Sequence, residues 1–244
     1  MTKPSIKRIL VPLGSQRAPA GMLEHAAAIA AKLQSELCGL FIEDSDLLNF
    51  AQLPIGREIS FSTGRVQPSS MSSMERSLRQ IASRSQQELS QLATRYKVQS
   101  QFVTRRGHNQ QTLQAECQIG DLLILSGIGA QANKALLLQA YDYLHSGHHY
   151  LAWLPPQSDS FDSIIVVQDD SPAADDAMQL AQLLAKDNGH SIATDAFTNV
   201  KALADKLKTC KKGFWIVPYQ QSWDLNVLGQ LLGNSRCPVL VVNA

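Results

Sequence analysis

The chain alternates short apolar runs with amphipathic stretches throughout its length. The first run, residues 7–13, is rich in aliphatic side chains and is followed by Gly14-Ser15, a pattern typical of a buried strand before a turn. Apolar residues from Met22 to Leu33 then recur at helical spacing, which predicts an amphipathic helix with one face on a core. Residues 36–43 form the next apolar run and predict a second buried strand.

Residues 44–73 interrupt this alternation. They show no periodicity and are rich in Ser, Pro and Gly, so we expect an excursion from the framework. Helical spacing returns at Met74 and continues to Tyr96, which predicts a long amphipathic helix. Three further strands are predicted at residues 98–107, 120–127 and 150–156. Predicted helices at 109–119 and 131–145 separate them.

A second, shorter series of elements follows the linker at residues 155–162. Strands are predicted at 163–168, 190–197, 213–219 and 238–244, with helices at 173–187, 200–210 and 223–234. This series has one strand and one helix fewer than the first. We therefore predict two units: residues 1–156, with an insertion at 44–73, and the shorter residues 163–244.

The alternation also predicts the fold class. Parallel strands need crossover connections, so strands that alternate with helices favour a parallel sheet covered on both faces. The prediction is an α/β fold made of two tandem, doubly wound, Rossmann-like parallel-sheet units. We expect the units to pair within the chain through their last strands, 150–154 and 238–242, because unpaired sheet edges invite association; the same argument allows a homodimer.

Composition excludes several classes of protein. Of the 244 residues, 44% are hydrophobic and 18% charged, and the formal net charge is +1, which argues against a disordered chain and against a basic nucleic-acid-binding surface. The apolar stretches fall short of the roughly 18 residues of a membrane-spanning helix, and the N-terminal MTKPSIKR has no apolar signal region behind it. We expect a cytoplasmic protein that binds neither nucleic acid nor membrane.

Cysteines and histidines are the candidate metal ligands. With no CxxC pair in the sequence, we expect reduced, buried thiols at Cys38, Cys117, Cys210 and Cys237. In HSGHH, residues 145–149, the side chains of His145, His148 and His149 could hold a transition metal, but no carboxylate or thiolate is near in sequence. HSGH also fits the HxGH pattern of nucleotidyltransferases, which carry it after the first strand, whereas here it precedes the fifth. We predict a polar turn and no metal.

Four motifs, in this order, resemble those of the universal stress protein family arranged as a tandem pair. They are RILVPLGS with HAAAIAAKL, GDLLILSGIGA, IIVVQDDSPAADDAMQLAQLLA and the terminal CPVLVV. The resemblance covers nearly the whole chain except residues 44–73. It implies a doubly wound α/β fold, usually dimeric through its last strand, and suggests that one unit has been doubled.

The resemblance also implies where a ligand would bind. ATP-binding members of the family place adenine near an Asp at the end of the first strand. They cradle the phosphates with a glycine-rich segment after the fourth strand, patterned G-x2-G-x9-G-[ST]. Glycines let backbone N–H groups approach phosphate, and the following helix N-terminus adds partial positive charge. Such a crevice lies at the carboxyl ends of the strands, where the strand order reverses.

The first unit keeps only part of this pattern. The position of the Asp falls on Leu13 or Gly14, neither of which offers a side-chain acceptor. After the fourth strand, Ser126, Gly127 and Gly129 are candidate contacts for a phosphate, or they simply turn the chain. The later glycines of the pattern are replaced, depending on which glycine starts the count, by Ala130, Ala132, Ala140 and Asp142.

The second unit keeps the complementary part. Asp169 matches the adenine-side carboxylate and Ser171 the serine that follows it, although both residues also suit the start of a helix. The strand that corresponds to the fourth of the first unit, 213–219, ends in Pro218-Tyr219-Gln220-Gln221, without a glycine. Because neither unit holds a complete site, we predict that the family's ATP binding is lost and that no cofactor is required.

Two functions stay open. The sequence has no GxSxG, HExxH or P-loop motif, so no catalytic residue is predicted. The first function is that of a non-enzymatic stress-response or regulatory protein that acts through contacts with an unidentified protein partner. The second is a binder of a nucleotide or other small anion at the strand ends, with slow ATPase activity as a subcase; residues 44–73 would then form a lid carrying Arg57 and Arg65.

Overall fold

The computed structural model describes residues 6–15, 21–53, 57–59, 66–68, 70–127, 134–147, 150–155, 163–186, 190–210 and 212–243. We call residues 6–155 the first half and residues 163–243 the second half. The strands are β1 Arg8–Leu13, β2 Glu36–Asp44, β3 Arg57–Ile59, β4 Val66–Pro68, β5 Ser100–Gly107, β6 Asp121–Ser126, β7 Tyr150–Leu154, β8 Ser163–Gln168, β9 Ser191–Ala196, β10 Gly213–Pro218 and β11 Val239–Val242. The helices are α1 Met22–Leu33, α2 Ser45–Ala51, α3 Met71–Tyr96, α4 Asn109–Glu116, α5 Lys134–His145, α6 Pro172–Ala185, α7 Val200–Thr209 and α8 Leu225–Leu232.

Nine of the strands form one sheet in the order β5-β2-β1-β6-β7-β11-β10-β8-β9, and β3 pairs with β4 separately. All neighbours in the large sheet are parallel except β7 and β11, which are antiparallel. The predicted α/β fold with a doubly wound, mostly parallel sheet is therefore confirmed. Among the helices that the structure describes, none is long and apolar enough to cross a lipid bilayer.

The two halves meet at the β7–β11 pair. Tyr150 lies opposite Val242, and Trp153 lies opposite Val239. A core on one face of the sheet is built under α1, α3 and α6, and a second core on the other face under α4, α5, α7 and α8. Each core contains buried side chains from both halves, so hydrophobic burial continues across the pair.

The segment 44–73 contains more regular structure than expected. Asp44 caps α2, because its side chain accepts a hydrogen bond from the N–H of Asp46 at 2.9 Å. The long helix α3 begins at Met71 rather than Met74, where Ser70 and Ser73 form a capping box. Side-chain caps of this kind start helices in segments whose apolar periodicity is weak.

Two of the four cysteines are bonded to each other. Cys210 and Cys237 form a disulfide, with their Cα atoms 6.0 Å apart, so the expectation of reduced thiols is wrong for this pair. Cys38 and Cys117 are free, as predicted. The pair is separated by 27 positions in sequence and is brought together only by the fold, which joins the end of α7 to the entry of β11.

The corresponding corner of the first half is fixed by an ion pair. The Arg8 guanidinium donates to both carboxylate oxygens of Asp121, at 3.0 and 2.5 Å, and to the carbonyl oxygen of Glu116 at 2.8 Å. This carboxylate raises the pKa of Arg8, so the guanidinium stays protonated. Nearby Cys117 stays a thiol, because burial raises its pKa to about 12.

Breaking the Cys210–Cys237 disulfide should destabilise the fold. Loop closure across 27 positions contributes about 3.5 kcal/mol to the free energy of unfolding, so Cys210→Ser, or reduction of the wild type, should lower stability by that amount. Urea unfolding with and without reductant measures it. Cys117→Ser is the control, and this variant should keep the full response to reductant. Identical unfolding midpoints for the oxidised and reduced wild type would contradict the prediction.

Candidate functional site

Strand order reverses at two places in the sheet. In the first half β1 lies between β2 and β6, and in the second half β8 lies between β9 and β10. Ligands of doubly wound sheets bind at the carboxyl ends of the strands beside such a reversal. We call the ends of β1 and β6 the first crevice, which includes Leu13, Gly14, Ser126 and Gly127. The ends of β8 and β10 form the second crevice, which includes Asp169, Ser171, Tyr219, Gln220 and Trp223.

The two crevices lie at opposite ends of the sheet. β1 and β6 run parallel to β7, and β8 and β10 run parallel to β11. Because β7 and β11 are antiparallel, the carboxyl ends of the two sets of strands point in opposite directions. Asp169 of the second crevice and Gly127 of the first therefore cannot combine into one site within this chain.

Strand register shows which residues correspond. Arg8 lies opposite Asp121 at the start of one strand pair, and Ser163 lies opposite Gly213 at the start of the other. All four of these strands are six residues long. The residue after β1, Gly14, therefore corresponds to Asp169 after β8. By the same count Tyr219, after β10, takes the position of Gly127 after β6.

Few polar side chains line the described part of the first crevice. Leu13 is buried, with 6% of its surface exposed, and packs in the core under α1 and α3. The Ser126 hydroxyl donates a hydrogen bond to the carbonyl oxygen of Leu154 at 2.7 Å. Gly127 is buried, and Gly129 lies outside the described residues. The serine hydroxyl thus stabilises the end of β7, and the described part of this crevice offers no side-chain carboxylate.

The carboxylate of the second crevice is bonded within the chain. Asp169 Oδ1 accepts hydrogen bonds from the backbone N–H of Ser171 at 3.0 Å and from its hydroxyl at 2.5 Å. Asp169 Oδ2 accepts a third hydrogen bond from Gln220 Nε2 at 3.3 Å. The Gln220 amide oxygen in turn accepts from Trp223 Nε1 at 3.1 Å. These contacts form a chain of hydrogen bonds across the mouth of the crevice.

Ser171 is the residue at which α6 begins, but its side chain does not cap the helix. It occupies the N-cap position, with Pro172 as the first helical residue, and its side chain makes no capping hydrogen bond. The hydroxyl turns back to Asp169 instead. The two candidate residues of this half are therefore in contact with each other, as their sequence spacing allows.

Tyr219 fills the place where the first half has a glycine. Its ring is buried, and burial raises the pKa of the phenol to about 12. The phenol oxygen lies 2.8 Å from His145 Nδ1, at the end of α5 in the other half. The ring also packs edge-on against Trp223, with ring centroids 5.8 Å apart. The side chain that closes the crevice thus also joins the two halves.

No metal site emerges from the histidines. Within the described ranges, no group of three or more His, Cys, Asp and Glu side chains is placed to hold a metal ion. His145 stacks on Tyr141, with centroids 3.9 Å apart, and contacts Tyr219. His148 and His149 lie outside the described residues. Of the lid arginines, Arg57 is the first residue of β3 and Arg65 is not described, so the lid stays a prediction.

Sequence reasoning missed the residues that close the second crevice. The sequence pattern marks Tyr219 and Gln220 only by the lack of a glycine at these positions. It does not mark Trp223 at all. Matching the strands residue by residue, β6 with β10, would have placed Tyr219 on Gly127. The hydrogen bond between Gln220 and Asp169 spans 51 positions and has no local sequence signal.

A groove of about 450 Å³ lies elsewhere, between α5 and α8. It is open to solvent and has a mixed polar and apolar lining, which includes Leu137, Gly229 and Gly233. The single charged residue of that lining is Lys134. Among the described residues that line the groove there is no carboxylate, thiol or histidine.

Comparison with known proteins identifies the fold. No family model matches the chain, and no curated protein matches it either. A universal stress protein from Archaeoglobus fulgidus DSM 4304 is similar over 99% of this chain and 97% of its own, with a TM-score of 0.65 and 13% identity. A protein of unknown function from Pseudomonas aeruginosa PAO1 is similar over 98% and 93%, with a TM-score of 0.62 and 12% identity. The cytoplasmic domain of a prokaryotic cation chloride cotransporter follows, over 97% and 95%, with a TM-score of 0.52 and 13% identity. The chain therefore has a universal-stress-protein-like fold, which confirms the resemblance at the level of structure.

Restoring a carboxylate to the first crevice should be tolerated at one position and not at its neighbour. A Cβ atom on Gly14 would meet nothing within 4 Å, so Gly14→Asp should change the free energy of unfolding by less than about 1 kcal/mol. Leu13→Asp would bury an unpaired carboxylate and should cost about 3 kcal/mol or more. Urea unfolding of the two variants measures the difference, and equal costs would contradict the strand correspondence given above.

Proposed function

We propose that this chain is a non-enzymatic protein of universal-stress type, which acts in stress response or regulation through contacts with other proteins and has lost ATP binding at its strand ends. The observation that carries the proposal is the occupation of the second crevice, the one that retains a carboxylate, by Gln220 and Tyr219. We also infer that the two halves are copies of one unit, since their strands correspond in register and since β6 and β10 each follow a helix with a cysteine as its C-cap, Cys117 or Cys210.

The carboxylate of Asp169, which would contact adenine, can accept few further hydrogen bonds. It already accepts hydrogen bonds from Ser171 and Gln220. A base that took the place of the Gln220 amide would also leave the indole N–H of Trp223, which is a buried residue, without its acceptor. An unsatisfied buried donor costs about 1–3 kcal/mol, which a ligand would have to offset.

The phosphate cradle is also missing at this end. Pro218 has no backbone N–H, and the N–H of Tyr219 donates to the carbonyl oxygen of Val242 at 2.7 Å. The Tyr219 side chain stands where a glycine would leave the backbone bare. Phosphate oxygens bind to available N–H groups at close range, so these two residues remove the means of binding.

The first crevice does not compensate for the second. It has Gly14 where the second crevice has Asp169, and the described part contributes one serine hydroxyl that is already bonded to Leu154. The opposite orientation of the two crevices prevents either from borrowing residues of the other. These facts favour the contact-based function over the alternative, a binder of a nucleotide or other small anion.

The similar structures support a role in contacts. One is a universal stress protein, and another is the cytoplasmic domain of a cotransporter, so the same fold serves as a domain of a larger protein. We propose a cytoplasmic location for this chain as well. Disulfides are rare in the reducing cytosol, so the redox state of the Cys210–Cys237 pair in cells tests this location.

A thermal-shift titration tests the loss of nucleotide binding. With Mg-ATP, AMP or inorganic phosphate at millimolar concentration, the melting temperature should show no saturable increase. A ligand at 100 times its dissociation constant would stabilise the fold by about 2.7 kcal/mol, which is readily seen.

The outcome that would contradict the proposal is specific to one residue. A saturable increase with ATP that disappears in Asp169→Asn and persists in Asp170→Asn would show that the second crevice still binds nucleotide. Asp170 is the matched control because it is adjacent and exposed. An increase in melting temperature with AMP or phosphate, but not with ATP, would favour the alternative of a small-anion binder.

A further inference from the structure

The strand β9 at one edge of the sheet is exposed on both faces. In the described part of the sheet no strand lies beyond it, and all its residues except Asp195 are exposed. The corresponding strand of the first half, β2, is buried along residues 37–42, flanked by β5 and covered by α3. That packing is so close that a Cβ atom on Gly39 would lie 3.0 Å from both Leu89 and Phe102. Among the described residues of the second half there is no counterpart of β5 or α3, so nothing described covers β9 in the same way.

The backbone of β9 directs hydrogen-bonding groups at the open edge. The N–H of Phe197 donates to the carbonyl oxygen of Gln168 in β8 at 2.8 Å, in the register that places Gln168 beside Ala196. In a parallel pair alternate residues face the neighbouring strand, so Asp195 and Ala193 direct their backbone groups at β8. Ile192 and Thr194 therefore direct both N–H and C=O away from the sheet.

The side chains of β9 do not protect this edge. Its sequence, SIATDA, contains β-branched and small residues and one charge, Asp195, which is neutralised by Lys206 with both N–O distances at 2.7 Å. The opposite edge strand, β5, carries two charged side chains, Arg105 and Arg106, which form ion pairs with glutamates but remain half exposed. Charged side chains on an edge strand oppose pairing with another chain. Of the two edges of the described sheet, β9 is the one suited to pairing.

We propose that β9 pairs antiparallel with β9 of a second copy of this chain, about a two-fold axis at Ala193. Ile192 then exchanges both backbone hydrogen bonds with Thr194 of the second copy, and Ser191 lies opposite Asp195 of the second copy. The large sheet continues through the dimer. This dimer does not depend on the proposed function or on any nucleotide, and it uses a different edge from the β7–β11 pair.

The register follows from geometry and charge. Pairing in one continuous sheet keeps each face on its own side, so even-numbered residues meet even-numbered ones. A centre at Ala193 pairs residues 191–195 and places the Ser191 hydroxyl opposite each Asp195 carboxylate, whereas a centre at Thr194 pairs residues 192–196 and places only the Ala193 methyl group opposite it. A centre at Asp195 would oppose two like charges, which is destabilising. The strand that pairs with β9 belongs to a second copy of this chain, because β9 is complementary to itself in this register. A two-fold pair is closed, so it forms a dimer and not a fibre.

Ala193 provides a test that is specific to the register. At this exposed position the same residue of both copies would meet. Sedimentation equilibrium of the full chain at micromolar concentration should show a dimer for the wild type and monomers for Ala193→Asp and Ala193→Lys. Mixing these two variants should restore a heterodimer, because opposite charges then face each other. Ala193→Thr is the matched control and should remain dimeric, since threonine favours strands.

A second variant addresses the backbone directly. Thr194→Pro removes an N–H that points at the open edge and leaves the hydrogen bonds to β8 intact, so it should give a folded monomer. Circular dichroism and the melting temperature check that each variant is folded. A monomeric wild type overturns the proposal. So does an Ala193→Asp variant that stays dimeric, or a mixture of the charged variants that does not associate.

Discussion

The antiparallel pairing of β7 with β11 is the interaction on which the rest of this structure depends. It joins five strands of the first half to four of the second in one sheet, and it lets both hydrophobic cores continue from one half to the other. It also reverses the direction of the second half, which places the two strand-end crevices at opposite ends of the sheet. Tyr219 therefore comes to lie against His145, and the Asn243 amide donates to the carbonyl oxygen of Leu144 at 2.9 Å. A half with only four strands gains from its neighbour the burial that its own length cannot supply.

The halves meet the same structural requirements with different chemistry. At the start of β6 the first half uses the ion pair of Arg8 with Asp121, and just before the corresponding strand, β10, the second half uses the disulfide of Cys210 with Cys237. After these strands, the first half has Gly127 and the second half has Tyr219. In the second case the side chain at this position forms a contact between the halves. Under the proposed function, the same difference between the halves also accounts for the loss of ligand binding.

The fold could be predicted from the sequence because its determinants are local. Buried parallel strands appear as short apolar runs, and helices such as α1 and α6 show apolar residues at helical spacing. The start of α3 was misplaced because it depends on hydrogen bonds between Ser70 and Ser73, not on apolar periodicity. The disulfide was missed because only the fold brings its cysteines together.

The positions of the candidate residues at strand ends were predictable from the sequence, but their hydrogen bonds were not. Sequence motifs indicated Asp169 and Ser126, and the structure places both at carboxyl ends of strands, at opposite ends of the sheet. The hydrogen bonds of Asp169 with Gln220, and of Ser126 with Leu154, depend on side chains and backbone far apart in sequence. The choice between Leu13 and Gly14 likewise needed the register of β1 with β6. Such facts belong to tertiary structure, which periodicity and spacing do not contain.

Native-state hydrogen exchange of the backbone amides tests the dependence of the fold on the β7–β11 pair most directly. The account predicts that hydrogen-bonded amides of β7 and β11 exchange with the same free energy of opening as those of β1 and β8, because both cores are continuous across the pair and the halves unfold together. If the amides of β8, β10 and β11 exchanged together at a distinctly lower free energy while β1 and β6 stayed protected, the halves would be independent units and the account would be contradicted.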